Sequence, residues 1–139
     1  MSSNTNDFNQ QIITEFRANG GKVGGPFADG HLLLLTTTGA RSGKPRTIPL
    51  GYPPDEDRII IIASYNGAPN HPDWYHNLVA HPEAIVEVGA ERFPVRAMVI
   101  EGEEREQLWN RLAEQMPFLA EHQQKTTRLI PLVALELIG

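Results

Sequence analysis

The chain has no cysteine. That excludes disulfides, thiolate nucleophiles and thiolate metal ligands. Long apolar runs are missing as well. The longest, Leu32–Leu35 and Ile59–Ala63, fall far short of the roughly 20 residues that cross a bilayer. The opening MSSNTNDFNQQ lacks a basic stretch followed by an apolar one, so no secretory signal is read there and a cytoplasmic location is expected. There is no basic excess. Lys and Arg number 12 against 17 Asp and Glu, for a net charge of −5, which argues against a nucleic-acid partner. No GxGxxG follows a strand pattern, which argues against a dinucleotide fold, and the Walker phosphate-loop spacing is absent. One absence is local. Between Thr36 and Tyr52 there is no acidic residue, while Arg41, Lys44 and Arg46 fall within six positions. A basic cluster on an acidic protein suggests a site for a small anion.

What remains is the composition of a folded domain: 139 residues, 40% hydrophobic and 21% charged. Residues 1–139 are read as a single domain, with 1–30 forming an N-terminal helix and a Gly-rich lead-in. Phe8, Ile12, Ile13 and Phe16 share one helical face, and Gly20-Gly21 ends that helix. Strands are expected at Leu32–Thr37, Lys44–Tyr52, Arg58–Ser64, Ala84–Val88, Arg92–Ile100 and Ile130–Ile138. Pro45 and Pro49 imply an edge or a bulge in the second of these. Pro53–Asp57 reads as a hairpin turn. Asn70 is expected to cap a helix with Pro72 in its first turn and with Trp74, Tyr75, Leu78 and Val79 on one face. His81-Pro82 ends it. Glu103, Glu104 and Glu106 load the first turns of a further helix, whose buried face is Leu108, Trp109, Leu112, Ala113 and Met116. Pro117 starts a short helix through about Lys125. Six strands joined by hairpins and four short helices imply a mainly β (α+β) fold. It is an antiparallel sheet curled into a small barrel with helices packed outside.

Four segments could carry chemistry. In Gly39-Ala40-Arg41-Ser42-Gly43-Lys44-Pro45-Arg46, two glycines would let successive N–H groups face an anion, and arginine grips phosphate with two parallel bonds. The same pattern also suits a solvated hairpin turn. Ala63–Asn70 leaves a buried strand and is dense in Ser, Asn and Gly, either as a binding loop or as a plain connection. In His71–Leu78, the recurrence of His71, His76 and His81 invites a metal. Their spacing of five does not suit a helical ligand pair, and no metal is expected. There Trp74 and Leu78 belong to the core, or Trp74 lies against a ring system. In Met116–Gln123, Phe118 and Leu119 could lid an apolar pocket, and His122 could donate a proton near neutral pH or simply be exposed.

Together, Leu34–Leu50 (LLTTTGARSGKPRTIPL), Ile59–Gly89, Gly102–Leu112 and Thr126–Leu137 resemble the deazaflavin-dependent nitroreductase family across nearly the whole chain. The resemblance implies a six-stranded split β-barrel of the FMN-binding type. It implies an enzyme that passes a hydride from the reduced 8-hydroxy-5-deazaflavin coenzyme F-420 to a quinone, a nitroaromatic or another electron-poor acceptor. Arg41, Ser42, Gly43, Lys44, Pro45 and Arg46 would hold the coenzyme's phosphate and polyglutamate tail. Thr47, Ile48 and Pro49 would line its ring. Ala63, Ser64, Tyr65 and Asn66 would meet the ring's polar edge, and Asp73, Trp74, Tyr75 and Asn77 the linker and phosphate. Leu119 and His122 would face the acceptor, with His122 as proton donor and Ser64 beside the reacting ring. The partner is a small-molecule acceptor, with peripheral membrane contact if that acceptor is a quinone, and the chain is a monomer or homodimer. Relatives that reduce nitroimidazoles carry tyrosines where this chain has Met116, Leu119 and His122, and Tyr65 stands where a lysine can follow the loop serine. The alternatives are an FMN enzyme on the same barrel, or a non-catalytic carrier of the coenzyme, heme or a lipid.

Overall fold

A computed structural model describes residues 3–21, 32–53, 58–64 and 67–138, with side chains from Asn9 onward. Among them the order is α1 (Ser3–Ala18), β1 (Leu32–Thr38), β2 (Pro45–Gly51), β3 (Ile59–Ile62), α2 (Asp73–Ala80), β4 (Glu83–Val88), β5 (Glu91–Ile100), α3 (Gly102–Gln115), α4 (Phe118–Gln124) and β6 (Leu132–Leu137). Residues 22–31 of the Gly-rich lead-in and 54–57 of the expected turn lie outside the described residues.

The six strands form one sheet in the order β2-β1-β4-β5-β6-β3, and each neighbouring pair is antiparallel. β2, with its two prolines, is an edge strand, as its missing N–H donors require. The sequence expectation of a hairpin at Pro53–Asp57 is corrected. β2 and β3 sit at opposite ends of the order and do not pair. A local turn signal marks where the chain reverses, not which strand it joins.

The pleat sends alternate side chains to opposite faces. On one face Leu33, Leu35, Ile61, Val86, Val95, Val133 and Leu135 form one buried cluster, with Ile48 and Leu50 packed against it. All six strands therefore contribute to a single interior, and the sheet curls into a half-barrel. Trp74 and Leu78 of α2 join the same cluster, so α2 plugs the barrel. The outer face is covered in two places. Ile12, Ile13 and Phe16 of α1 sit on Leu32 and Leu34. Leu108 and Leu112 of α3 and Leu119 of α4 sit on Ile60, Ile100, Leu132 and Ala134. β1 is thus covered on both faces, which explains why its Leu32–Leu35 run does not alternate with polar residues.

α1 is pinned further by a two-pronged pair. Arg17 Nε and Nη2 donate to Glu87 Oε1 and Oε2 at 3.1 and 2.8 Å. These bonds hold the Glu87 carboxyl below its ordinary pKa. Past the helix, a Cβ on Gly21 would stand 2.4 Å from the Gly89 Cα, so only glycine lets these turns cross.

Antiparallel pairing along the whole order makes β1, β3 and β5 run one way and β2, β4 and β6 the other. One end of the half-barrel therefore gathers the 39–44 turn, the segment leaving β3, Glu101, and the α4 segment that leads into β6. The segments singled out from sequence meet at this mouth. No described helix is long and apolar enough to cross a membrane.

Candidate functional site

The 39–44 turn is built by its own backbone. Gly39 N–H donates to Lys44 O at 2.8 Å and Gly43 N–H to Gly39 O at 2.9 Å. Lys44 N–H donates to Ser42 Oγ at 3.1 Å, and Ala40 N–H to Asn77 Oδ1 at 2.9 Å. Those four N–H groups are spent inside the protein and would not meet an anion there. The side chains suit it. Arg41, Ser42, Lys44, Pro45 and Arg46 are exposed, and none of the three cations forms an ion pair with a described residue. Such charges are free to follow a flexible polyanion.

Asn77, expected as a ligand contact, faces inward. It is buried, and its Nδ2 donates to the buried Thr37 Oγ1 at 3.0 Å while its Oδ1 takes the Ala40 N–H. It fastens α2 to the basic turn. Trp74 is buried in the barrel interior. The buried stripe of α2 is Trp74, Asn77 and Leu78. Val79, placed on that face from sequence, is 61% exposed. Asn70 does not cap α2: Pro72 occupies the N-cap position and no side chain caps it. Asp73 is exposed and Tyr75 half-buried on its first turns.

Thr47, Ile48 and Pro49 do not share a face. Ile48 pairs with Leu35 and packs into the interior, whereas Thr47 Oγ1 lies 2.7 Å from Thr36 Oγ1 on the outer side. Strand alternation prevents one flat ring from resting on all three side chains.

The loop leaving β3 is held by a residue that sequence reading passed over. Arg128 donates from Nη1 to Ala63 O at 3.0 Å, from Nη2 to Ser64 O at 2.7 Å and from Nε to Ala68 O at 2.8 Å. Its Nη1 also lies 2.9 Å from His71 Nδ1, which must act as acceptor because a guanidinium only donates. Ala63 N–H goes to Pro131 O at 3.0 Å. Both backbone groups of Ala63 and the carbonyl of Ser64 are thus engaged within the protein. Tyr65 and Asn66 lie outside the described residues. The Arg128 partners are up to 65 positions away in sequence, beyond any local pattern.

The His71 ring also lies 4.6 Å from that of Tyr75, tilted by 50°, and 5.7 Å from that of His76. Burial, the Arg128 charge and His76 hold its imidazole below the ordinary value. Among the described residues no three His, Asp or Glu are grouped to hold a metal ion.

α4 packs against the same loop. A Cβ on Gly67, whose φ is +76°, would stand 2.6 Å from His122 O and 2.9 Å from Lys125 Cβ. Leu119 is buried under α4 in the outer cluster, so it faces the sheet, not an acceptor as expected. Phe118 is 47% exposed, with its ring 5.3 Å from that of His122. His122 Nδ1 is buried without a hydrogen-bond partner among the described residues. An orphaned ring nitrogen beside the mouth is a group that a ligand could satisfy. Behind α4, the buried Arg105 donates to Ile130 O at 2.6 Å and lies 4.6 Å over Trp109. It holds the 126–131 segment from α3, and its partner too is remote in sequence.

Comparison with known proteins gives a consistent result. The profile of the F420H2-dependent quinone reductases matches residues 9–136. An F420H2-dependent quinone reductase of Mycobacterium tuberculosis is 41% identical over 106 residues, which cover 74% of this chain and 71% of that protein. A solved F420-H2-dependent reductase, FDR-A, is 43% identical with a TM-score of 0.66, covering 76% of this chain and 93% of its own. A second solved relative, described as a domain-swapped dimer, is 36% identical with a TM-score of 0.69, covering 98% of this chain and 100% of its own.

Proposed function

The chain belongs to the F420H2-dependent quinone reductase family, and we infer from that premise that it is an oxidoreductase passing a hydride from reduced F-420 to an electron-poor small molecule of the quinone class. The structural observation that carries the reading is the convergence at one mouth of three things: cations at 41–46 that pair with no described residue, the loop around Ser64, and α4 with a His122 nitrogen that has no partner among the described residues.

The residues suit such a coenzyme. Arg41, Lys44 and Arg46 offer mobile positive charge to a phosphate and glutamate tail. α2 lies between the two: its Asn77 holds the turn at Ala40, and His71, just before its first turn, meets the Arg128 that holds the Ser64 loop. Bound there, the deazaflavin supplies the hydride from its own carbon. The protein's part is to place, shield and protonate. Ser64 presents its hydroxyl at the ring edge. Of the β2 segment, Ile48 offers an apolar side chain from the interior face, with Thr47 and Pro49 on the other. Tyr75 and Asp73 flank the path between ring and tail. His122 holds a proton beside the acceptor, and Phe118 is the apolar surface against which the acceptor lies. Coenzyme and acceptor share one domain in the cytoplasm. Contact with a membrane surface follows if the quinone is a lipid. A homodimer is one proposed state, in line with the domain-swapped relative, and a monomer is the other.

FMN is the competing ligand. Three spread cations suit a long polyanion better than one phosphate. Fluorescence titration with F-420 and with FMN, followed by menadione added to the reduced complex, tests the reading. Tight F-420 binding and menadione-dependent reoxidation are expected. Micromolar FMN binding without F-420 binding would refute it.

A further inference from the structure

Arg128 is unusual among the described cations. It is half-buried, forms no ion pair with a described residue, and spends its guanidinium on three backbone carbonyls and one imidazole. The carbonyls belong to Ala63, Ser64 and Ala68, which bracket the loop that leaves β3. Within that bracket Gly67 N–H donates to Ser64 O at 2.9 Å. Arg128 is itself held from α4. Gln123 Nε2 donates to Arg128 O at 2.7 Å, and Gln123 Oε1 accepts the Ile130 N–H at 3.1 Å. Loop, α4 and the 126–131 segment are therefore one hydrogen-bonded unit with Arg128 at its centre.

We propose that Arg128 is the positioning residue that sets the Ser64 loop for the coenzyme ring, and that His71 must be neutral for it to do so. The inference rests on the functional reading above and adds to it a control by pH. Neutral His71 accepts from Arg128 through Nδ1. A protonated ring has donors at both nitrogens, so it would turn a donor and a second positive charge toward Arg128. Among the described residues the groups around His71 are Arg128 from the 126–131 segment, and Tyr75 and His76 from α2; no carboxylate pairs with any of them to offset the added charge. The sign follows from His71 lying below its ordinary value. Its contribution is present above about pH 6.5 and is lost as pH falls through the lowered value.

The test is F-420 titration by fluorescence from roughly pH 5 to 8 for wild type, Arg128→Lys and His71→Gln, with hydrogen-exchange protection of the Gly67 amide measured on the coenzyme-free proteins. Lysine cannot reach four acceptors at once, so Arg128→Lys is expected to bind about tenfold more weakly and to lose Gly67 protection. His71→Gln keeps an acceptor but does not titrate, so it is expected to flatten the acid loss of both affinity and protection seen in wild type. Wild-type affinity and protection in Arg128→Lys, or an unchanged pH profile in His71→Gln, would overturn the proposal. If wild type binds no F-420 at any pH, the functional reading fails, and the Gly67 protection profiles still decide whether Arg128 and His71 set the loop.

Discussion

Asn77 shows how a single buried amide can organise a site without touching a ligand. Its two bonds join α2 to Thr37 at the end of β1 and to Ala40 in the basic turn. Replacing it with alanine leaves a buried hydroxyl and a backbone N–H unpaired. The expected loss is about 2–6 kcal/mol of stability, from roughly 1–3 kcal/mol per unsatisfied group. Urea unfolding of Asn77→Ala measures this, and a loss below about 0.5 kcal/mol would mean the turn does not depend on the amide. Sequence pattern assigns this residue to the ligand, whereas both of its bonds lie inside the protein. Arg105 and Arg128 were not marked at all. Their partners lie 25 and up to 65 positions away, so no local periodicity records them. By contrast, the exposed cations of 41–46 were legible because acids are missing around them, a property of the sequence alone.

Among the elements, the seam between α4 and the Ser64 loop is closely packed. Gly67 sits there with φ +76° and with no room for a Cβ against His122 O. Gly67→Ala must both adopt a conformation disfavoured for alanine and push α4 away. The expected cost is about 1–3 kcal/mol, with slower acceptor reduction, because the loop and His122 would move apart. Thermal unfolding together with menadione kinetics checks this; a variant with unchanged stability and rate would show that loop and helix move independently. Most strands and helices were legible as elements. β-branched runs, two prolines in β2 and the amphipathic spacing of α1 and α3 each carry a local physical cause. The pairing of β3 was not legible. Its run IIII suits any buried strand, and its partner β6 lies about 70 residues further on, so only tertiary closure selects it over β2.

For the whole molecule, the arrangement separates two tasks at one end of a half-barrel. The interior and the two outer clusters pack the sheet beneath the mouth, while in the proposed function the exposed cations on one rim would meet an anionic tail and α4 the acceptor. The net charge of −5 leaves the 41–46 rim as a local exception, so attraction to the coenzyme should be strong at that place and sensitive to salt. The central claim is that this rim anchors the coenzyme. The most direct test is F-420 affinity as a function of ionic strength for wild type and for Arg41→Ala combined with Arg46→Ala. The account predicts that wild-type affinity falls steeply with salt, and that the double variant binds more weakly and with a flatter dependence. Equal affinity and equal salt dependence in the two proteins would contradict it, and would leave the 41–46 segment a solvated turn.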